Sequence, residues 1–325
     1  MSAEAFGSVD PQPVPALRRH LVVGNPIAHS RSPEIHSVFA GETGIALRYE
    51  RLLVQTEPPE AFTQALDSFF GGGGYGANVT LPFKEQAFRY AARRSERAAL
   101  AEAVNTLAVR DGGIYGDNTD GSGLIADLTG RLGLDLAGKS VLLLGAGGAA
   151  KGVVMSLLQA GVAELHVFNR TPARAEALAA RFNQSAAARE AGLPLIRVLA
   201  LSAVHRADLI INATSGGLLN RPLVLPAELF RDCGLAYDCV YGERPTDFME
   251  QAIAGGAGGV SDGLGMLVEQ AAESFLIWHG VRPATASAYR QLRAAMAVER
   301  APRPTDHRDA AGAEAAPRAA GADAS

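Results

Sequence analysis

The stretch Val141-Leu142-Leu143-Leu144-Gly145-Ala146-Gly147-Gly148-Ala149-Ala150-Lys151-Gly152 constrains the fold more than any other part of the chain. Four apolar residues run into glycines and then alanines, which reads as a buried parallel strand, a tight turn and a helix start. Gly145 permits the turn, and Gly147 lets the backbone approach a pyrophosphate. Ala150 stands where the third small residue of a G-x-G-x-x-G/A fingerprint keeps helix and strand close. The helix start offers unpaired N–H groups and partial positive charge to phosphates. Taken alone, the pattern equally describes a strand-to-helix turn without a ligand.

The next strand, Glu164-Leu165-His166-Val167-Phe168, leads into Asn169-Arg170-Thr171-Pro172-Ala173-Arg174. An NAD site carries an Asp or Glu here, roughly 20 residues after the turn, to hold the ribose 2′-hydroxyl. This chain has Asn169 and two arginines instead, and a guanidinium fork pairs well with a phosphate. The pattern therefore favours NADP over NAD. The plain alternative is that Arg170 and Arg174 form a solvated first helical turn.

A length of 325 residues suggests about two domains with ample core. The net charge of −4 points neither to nucleic acid nor to an anionic membrane surface. The start lacks the basic and apolar regions of a signal peptide, and no apolar run reaches the length of a membrane span. Cys233 and Cys239, the 2 cysteines, provide neither a disulfide framework nor zinc-ligand spacing. The implied setting is a reducing cytoplasm.

Along the chain, residues 1–16 read as disordered and 17–23 as a strand that ends in the turn signal Gly24-Asn25-Pro26. A helix is predicted over 32–40, with Ser32 as N-cap and Pro33 at its first position. Ser30 and Ser32 around Arg31 suit a bound carboxylate, although capping explains Ser32 equally well. A strand over 49–54 and a helix over 58–70 precede a flexible link over 71–74. A short strand then ends at Pro82, and Lys84 opens a helix, an awkward place for a cation because the helix dipole opposes it. Residues 93–103 read as helix, and 103–109 with 113–116 as a hairpin across Asp111-Gly112. Asp120 then stands in a turn, where an N-cap role competes with a functional one. Strand and helix alternate through 141–144, 165–168, 195–198, 209–212, 236–241 and 259–260, as in a parallel sheet. An apolar helix up to residue 278, with Gln270 as its conspicuous polar member, and a terminal helix over 283–298 complete the ordered chain.

Together these motifs resemble the shikimate dehydrogenase family. The resemblance rests on Gly24-Asn25-Pro26-Ile27-Ala28-His29-Ser30-Arg31-Ser32-Pro33, Gly76-Ala77-Asn78-Val79-Thr80-Leu81-Pro82-Phe83-Lys84 and Ala103-Val104-Asn105-Thr106. Gly116-Asp117-Asn118-Thr119-Asp120-Gly121, the Gly145 turn, Asn169-Arg170-Thr171, Ile211-Asn212-Ala213-Thr214-Ser215 and Asp262-Gly263-Leu264-Gly265-Met266-Leu267 extend it. It implies an α/β protein with an N-terminal α/β substrate domain, a Rossmann-like doubly wound parallel-sheet NADP domain and a deep interdomain cleft. The expected division is a disordered 1–16, a substrate domain over 17–118, an NADP domain over 119–260, returning helices over 261–299 and a disordered tail over 300–325.

The resemblance also implies the reversible NADPH-dependent reduction of 3-dehydroshikimate to shikimate, on the route to chorismate and aromatic amino acids. Lys84 matches the family's catalytic lysine and Asp120 its aspartate partner. Ser30, Ser32, Thr80, Asn105, Asp120, Tyr241 and Gln270 match substrate-contacting positions. Gly145, Ala146, Gly147, Gly148, Ala149, Asn169, Arg170, Thr171, Arg174, Thr214, Cys239 and Gly263 match cofactor-contacting positions, as does Glu96, for which a solvated helix charge is the competing role. No metal is expected. Lys151 replaces a frequent arginine, Cys239 a bulkier methionine and Gly217 a larger residue. A broad quinate/shikimate dehydrogenase and a non-catalytic NADP-sensing protein are the alternatives, and a homodimer is compatible with the chain.

Overall fold

In a computed structural model, which describes residues 17–204, 206–214 and 223–300, the chain builds two six-stranded sheets. The expected disorder of 1–16 and of the tail beyond 300, and the loop residues Ser215 and Gly217, lie outside the described residues.

The first sheet uses β1 (Arg18–Gly24), β2 (Leu47–Leu53), β3 (Gly74–Val79), β4 (Arg93–Arg94), β5 (Thr106–Arg110) and β6 (Gly113–Asp117), in the order β2-β1-β3-β5-β6-β4. Its helices are α1 (Ser32–Thr43), α2 (Ala61–Gly71), α3 (Lys84–Tyr90) and α4 (Glu96–Ala101). The parallel pairs β1–β2 and β1–β3 leave α1 and α2 as crossovers, while β5 and β6 form an antiparallel hairpin. Asp111 and Gly112 both have positive φ (47° and 75°), the pairing that a two-residue hairpin turn demands.

Two local expectations are corrected. Arg93–Arg94 is a short strand beside β6 and the helix begins only at Glu96, because Ser95 caps it by accepting from Ala98 N. Ser32 is not an N-cap. It is the first helical residue of α1, Arg31 holds the cap position, and no side chain caps this end.

The second sheet is wholly parallel: β7 (Ser140–Leu144), β8 (Glu164–Phe168), β9 (Ile196–Val198), β10 (Leu209–Asn212), β11 (Leu235–Asp238) and β12 (Val260–Ser261), in the order β12-β11-β10-β7-β8-β9. The order reverses between β7 and β10, the switch point at which such sheets open a ligand crevice. Between the sheets runs α5 (Asp120–Ala126), and around the second lie α6 (Gly148–Gln159), α7 (Pro172–Asn183), α8 (Ala186–Glu190) and α9 (Asp247–Ala254). The buried faces of β7, β8 and α6 share one core of Val141, Leu143, Val153, Leu157, Leu165 and Val167.

The described residues end in α10 (Leu264–His279) and α11 (Ala286–Arg300). Leu264, Val268, Phe275, Leu292 and Met296 from these helices pack with Ile35 and Phe39 of α1, so α10 and α11 return to the first sheet. No helix among the described residues is long and apolar enough to cross a membrane.

The helix α5 is an unpromising helix by propensity, with glycines at 121 and 123. Packing overrides propensity here. A Cβ on Gly121 would stand 2.6 Å from the Gly152 carbonyl of α6, and one on Gly123 would stand 2.8 Å from the Met266 carbonyl of α10. The two glycines let α5 sit tightly between both helices, and so hold its first residue, Asp120, where the two halves meet.

Candidate active site

Lys84 opens α3 and Asp120 opens α5, and the structure joins them. The Lys84 ammonium donates to Asp120 Oδ2 at 2.5 Å, with side chains 15% and 7% exposed. A cation at a helix start is disfavoured by the dipole, and this carboxylate offsets the penalty. Asp120 also accepts from Asn105 Nδ2 through Oδ1 at 2.8 Å, which fixes its plane. The aliphatic part of Lys84 lies over Gly148, its Cδ 3.6 Å from where a Cβ would stand. The Lys84 side chain, carried by the first half of the molecule, thus meets the first turn of α6 in the second.

A buried polar network surrounds the pair. The Asn105 amide donates to Thr119 Oγ1 at 2.9 Å and to Gln270 Oε1 at 3.3 Å, while Asn105 Oδ1 accepts from Thr119 N and Thr106 Oγ1. Thr106 shares a hydrogen bond with Ser274, which accepts from Asn78 Nδ2 at 2.9 Å. Asn78 Oδ1 in turn accepts from the Tyr49 hydroxyl at 2.6 Å. Burial raises the Tyr49 pKa well above its ordinary value, so it remains a donor.

Asn78, Thr106, Thr119 and Ser274 were not singled out as site residues in the sequence. For Asn78 the signal is a polar residue inside an apolar strand, Ala77-Asn78-Val79, and for Ser274 a small polar residue within the apolar helix α10. That signal does not reveal contacts spanning as many as 196 positions.

Ser30 donates to the Ser32 hydroxyl at 3.2 Å, in the bend that feeds α1. Tyr241, in the loop after β11, packs beside α1 and α10 and meets the Arg31 backbone, and its burial raises its pKa. Thr80 follows β3, with its amide donating to Val23 O at 2.9 Å. Its methyl fills the space left by the missing side chain of Gly24.

At the other end, Gly145 has φ 115°, which a residue with a side chain rarely adopts, and its amide donates to Phe168 O. Gly147 caps α6 in an extended conformation, and a Cβ there would meet nothing within 4 Å. The surface above Gly147 is therefore clear for a ligand's phosphates, whereas Gly145 and Ala146 are buried beneath it and the Lys84 side chain lies beside Gly148. Asn169 Nδ2 donates to Thr171 O at 2.8 Å and shapes the start of α7. Arg170, Thr171 and Arg174 are exposed, and no carboxylate pairs with either arginine among the described residues.

Thr214 donates through both N and Oγ1 to Asn212 Oδ1. Gly263, the cap of α10, lies so close to the Cys239 carbonyl that a Cβ there would overlap it. The Cys239 thiol is pushed up by burial and by the charges of Asp238 and Asp120, and lowered by Lys84. Glu96 is elsewhere. It lines a groove with Met155 and Gln159, at the end of α6 away from the Gly148 turn.

Comparison with known proteins agrees with this arrangement. Residues 22–107 match the shikimate dehydrogenase substrate binding domain, 127–221 the shikimate/quinate 5-dehydrogenase model and 263–293 the shikimate 5′-dehydrogenase C-terminal domain. A shikimate dehydrogenase (NADP(+)) of Bordetella avium is 50% identical over 88% of this chain and 98% of its own. Among solved structures, an Ael1 enzyme from Pseudomonas putida has a TM-score of 0.76 at 41% identity, covering 85% of this chain and 98% of its own. The Thermus thermophilus shikimate 5-dehydrogenase, in complex with NADP(H) and shikimate, has a TM-score of 0.74 at 36% identity and covers 86% of this chain and 100% of its own. With identity this high along nearly the whole of both chains, and a two-sheet fold that places Lys84 and Asp120 against a dinucleotide-type turn, the chain belongs to the shikimate dehydrogenase family.

Proposed function

We propose that this protein is an NADP-dependent shikimate dehydrogenase, catalysing the reversible reduction of 3-dehydroshikimate to shikimate. The observation that carries the reading is the Lys84–Asp120 pair lying against the α6 start. Residues 17–118 form the substrate unit, 119–260 the NADP unit and 261–299 the helices that return to the substrate unit. The free thiols of Cys233 and Cys239 suit a reducing cytoplasm.

The residues fit the cofactor. The open face over Gly147, the left-handed Gly145 and the exposed cations at Arg170 and Arg174 are what a pyrophosphate and a 2′-phosphate require. When bound, the nicotinamide supplies the hydride. As negative charge builds on the substrate's C3 oxygen, the Lys84 ammonium stabilises it and transfers one of its protons to that oxygen. Such transfer is worth roughly 10²–10⁴-fold. Asp120 orients Lys84 and accepts a hydrogen bond from a substrate hydroxyl. Asn105, Gln270 and Thr80 line the ring, and Ser30, Ser32 and Tyr241 hold the carboxylate. Leaving any of the ring's hydroxyls without a partner would cost binding, because a buried polar group lacking a hydrogen bond is expensive.

The test is an assay of the pure protein with shikimate and with quinate, each against NADP+ and NAD+. Turnover of shikimate with NADP+ well above the other three combinations supports the reading. Comparable rates with quinate would make it a broad quinate/shikimate dehydrogenase, and no turnover of either with intact cofactor binding would make it a sensor.

A further inference from the structure

Asp238, the last residue of β11, is a carboxylate only 2% exposed. Its Oδ2 accepts from Thr246 Oγ1 at 2.6 Å, and its Oδ1 accepts from Val240 N at 3.0 Å and Asn212 Nδ2 at 3.1 Å. All three partners are donors, which is the environment of an ionised carboxylate. None of them carries a charge. A buried charge without a counter-ion is costly and is seldom kept without a use.

The neighbouring charges cancel in pairs. Lys84 is matched by Asp120, and Arg293 donates twice to Asp262. Asp238 has no such partner among the described residues: burial and the nearby Asp262 carboxylate raise its pKa, and the hydrogen bonds from Thr246, Val240 and Asn212 pull it back down. The site is also where a nicotinamide ring must come. In a parallel sheet the dinucleotide lies across the carboxyl ends of the strands, starting from the turn after β7. To reach Lys84 and Asp120 its ring end must extend past β10 and β11. Cys239, the residue after Asp238, is where the second sheet senses the charges of both Lys84 and Asp120.

We propose that Asp238 is an electrostatic positioning residue that makes the site prefer the oxidised, positively charged nicotinamide over the reduced, neutral one. This rests on the cofactor reading given above. During reduction of the ketone a hydride, one proton with two electrons, leaves the ring, and the ring gains a positive charge. A fixed negative charge behind it favours that departure. The carboxylate itself forms and breaks no bond. Asp238 also joins Thr214 to the loop bearing Cys239 and Tyr241, through Asn212 on one side and Thr246 on the other. The same residue therefore shapes two ligand loops and sets the field between them.

The experiment compares dissociation constants for NADP+ and NADPH by calorimetry in the wild type, Asp238→Asn and Thr246→Val. Asparagine keeps the shape and can still accept from Asn212 and Val240, while the Thr246 hydroxyl turns to accept from its amide. The expected result for Asp238→Asn is NADP+ binding weakened about five- to tenfold, as expected of one charge acting through a partly screened interior, with NADPH binding within about twofold of wild type. Thr246→Val loosens the clip and keeps the charge, so the ratio of the two constants should stay at the wild-type value. Asp238→Ser is a second neutral variant should asparagine fail to fold. Equal loss of both ligands in a folded neutral variant, an unchanged ratio, or a Thr246→Val variant that reproduces the selective loss would each overturn the proposal. A wild-type protein that binds neither nucleotide would instead refute the cofactor reading.

Discussion

Around Lys84 and Asp120, no buried polar atom of Lys84, Asn105, Thr119, Asp120 or Gln270 is without a partner. In the second sheet, by contrast, Arg170, Thr171 and Arg174 stand in solvent and neither arginine makes an ion pair among the described residues, although the Arg174 charge reaches Glu85 and helps to lower its pKa. One region has its geometry finished before any ligand arrives, while the other holds charges that only a ligand will pair. The contrast follows from the tasks. Proton transfer depends on placement to fractions of an ångström, which a low-dielectric network holds rigidly. Phosphate recognition depends on charge, and mobile arginines deliver it at small cost because the anion brings its own acceptors.

The largest effect should come from the finished region. Lys84→Ala is expected to lower the turnover number about 10²–10⁴-fold while NADP(H) binding survives. Steady-state rates and a fluorescence titration of NADPH measure the two separately. Near-normal turnover in a folded variant would remove the lysine from the mechanism and with it the contrast between the two ends.

The open region should fail differently. Arg170→Ala is expected to raise the Michaelis constant for NADP(H) about ten- to hundredfold, the value of a charge-assisted hydrogen bond to phosphate. The constant for NAD(H) should move far less. The effect should shrink as salt is added, because an exposed guanidinium is screened within about 8 Å at physiological ionic strength. Equal changes for both cofactors would reject the 2′-phosphate assignment.

Gly152 asks whether α6 is rigid only where it touches the acid–base pair. A Cβ there would stand 2.8 Å from Asn118 Oδ1 and 3.0 Å from Asp120 Oδ2. In a helix interior Ala gains about 1 kcal/mol over Gly, but overpacking costs about 1–3 kcal/mol and here presses on the carboxylate that holds Lys84. We expect Gly152→Ala to lower the melting temperature by a few degrees, at roughly 2–4 °C per kcal/mol, and to cut turnover as well. Gly147→Ala, in extended backbone with open space around it, should leave the melting temperature nearly unchanged. If both alanines behave alike in a thermal melt, close approach at Asp120 is not what distinguishes them.

The two regions were also unequally legible in the sequence. The central strand of the second sheet is a continuous apolar run that ends in a glycine, Val141–Leu144 before Gly145, and 209–212 reads as the strand Leu209–Asn212 without adjustment. The hairpin at Asp111-Gly112 is just as plain, because its turn needs residues that tolerate positive φ. Arg93–Arg94 was hidden because it is a strand only through its partners Tyr115 and Gly116, a long-range pairing that local propensity does not carry. Ser32 and Asp120 both look like caps, yet each is the first residue inside its helix, so their side chains face other groups. The motifs name the residues of the polar network around Asn105, but the hydrogen bonds that join β3, β5, α5 and α10 belong to the assembled fold.

The smallest effect concerns what the finished region costs in acid. His20, His36 and His279 lie together in the first half with Tyr49, Tyr75 and Trp278. His36 stacks on Tyr49 with ring centres 4.4 Å apart, and His20 lies 4.7 Å from Trp278. Burial and the neighbouring His279 imidazole lower His20 to about 3, against the hydrogen bond to the Arg18 carbonyl, and burial with Arg18 lowers His279 to about 4. Burial holds His36 well below its ordinary range. Above the unfolded value near 6.5 both states are neutral and these groups leave stability unchanged. Below it the unfolded chain binds protons that the folded chain refuses, so stability falls with pH until the folded values are reached. His166 is the second sheet's counterpart and its lowered pKa is partly offset by the Glu164 charge, so acid should melt the first half ahead of the second. His20→Phe is expected to flatten the slope of stability against pH between about 6 and 4 by up to roughly 1.4 kcal/mol per pH unit. Trp278, the 1 tryptophan of the chain, sits in the cluster and reports its loosening by fluorescence, while far-UV circular dichroism follows the whole molecule. A fluorescence change that precedes the dichroism in acid, and moves to lower pH in the variant, is the expected result. Coincident transitions with an unchanged slope would show that the histidines are not what makes this half the weaker one in acid.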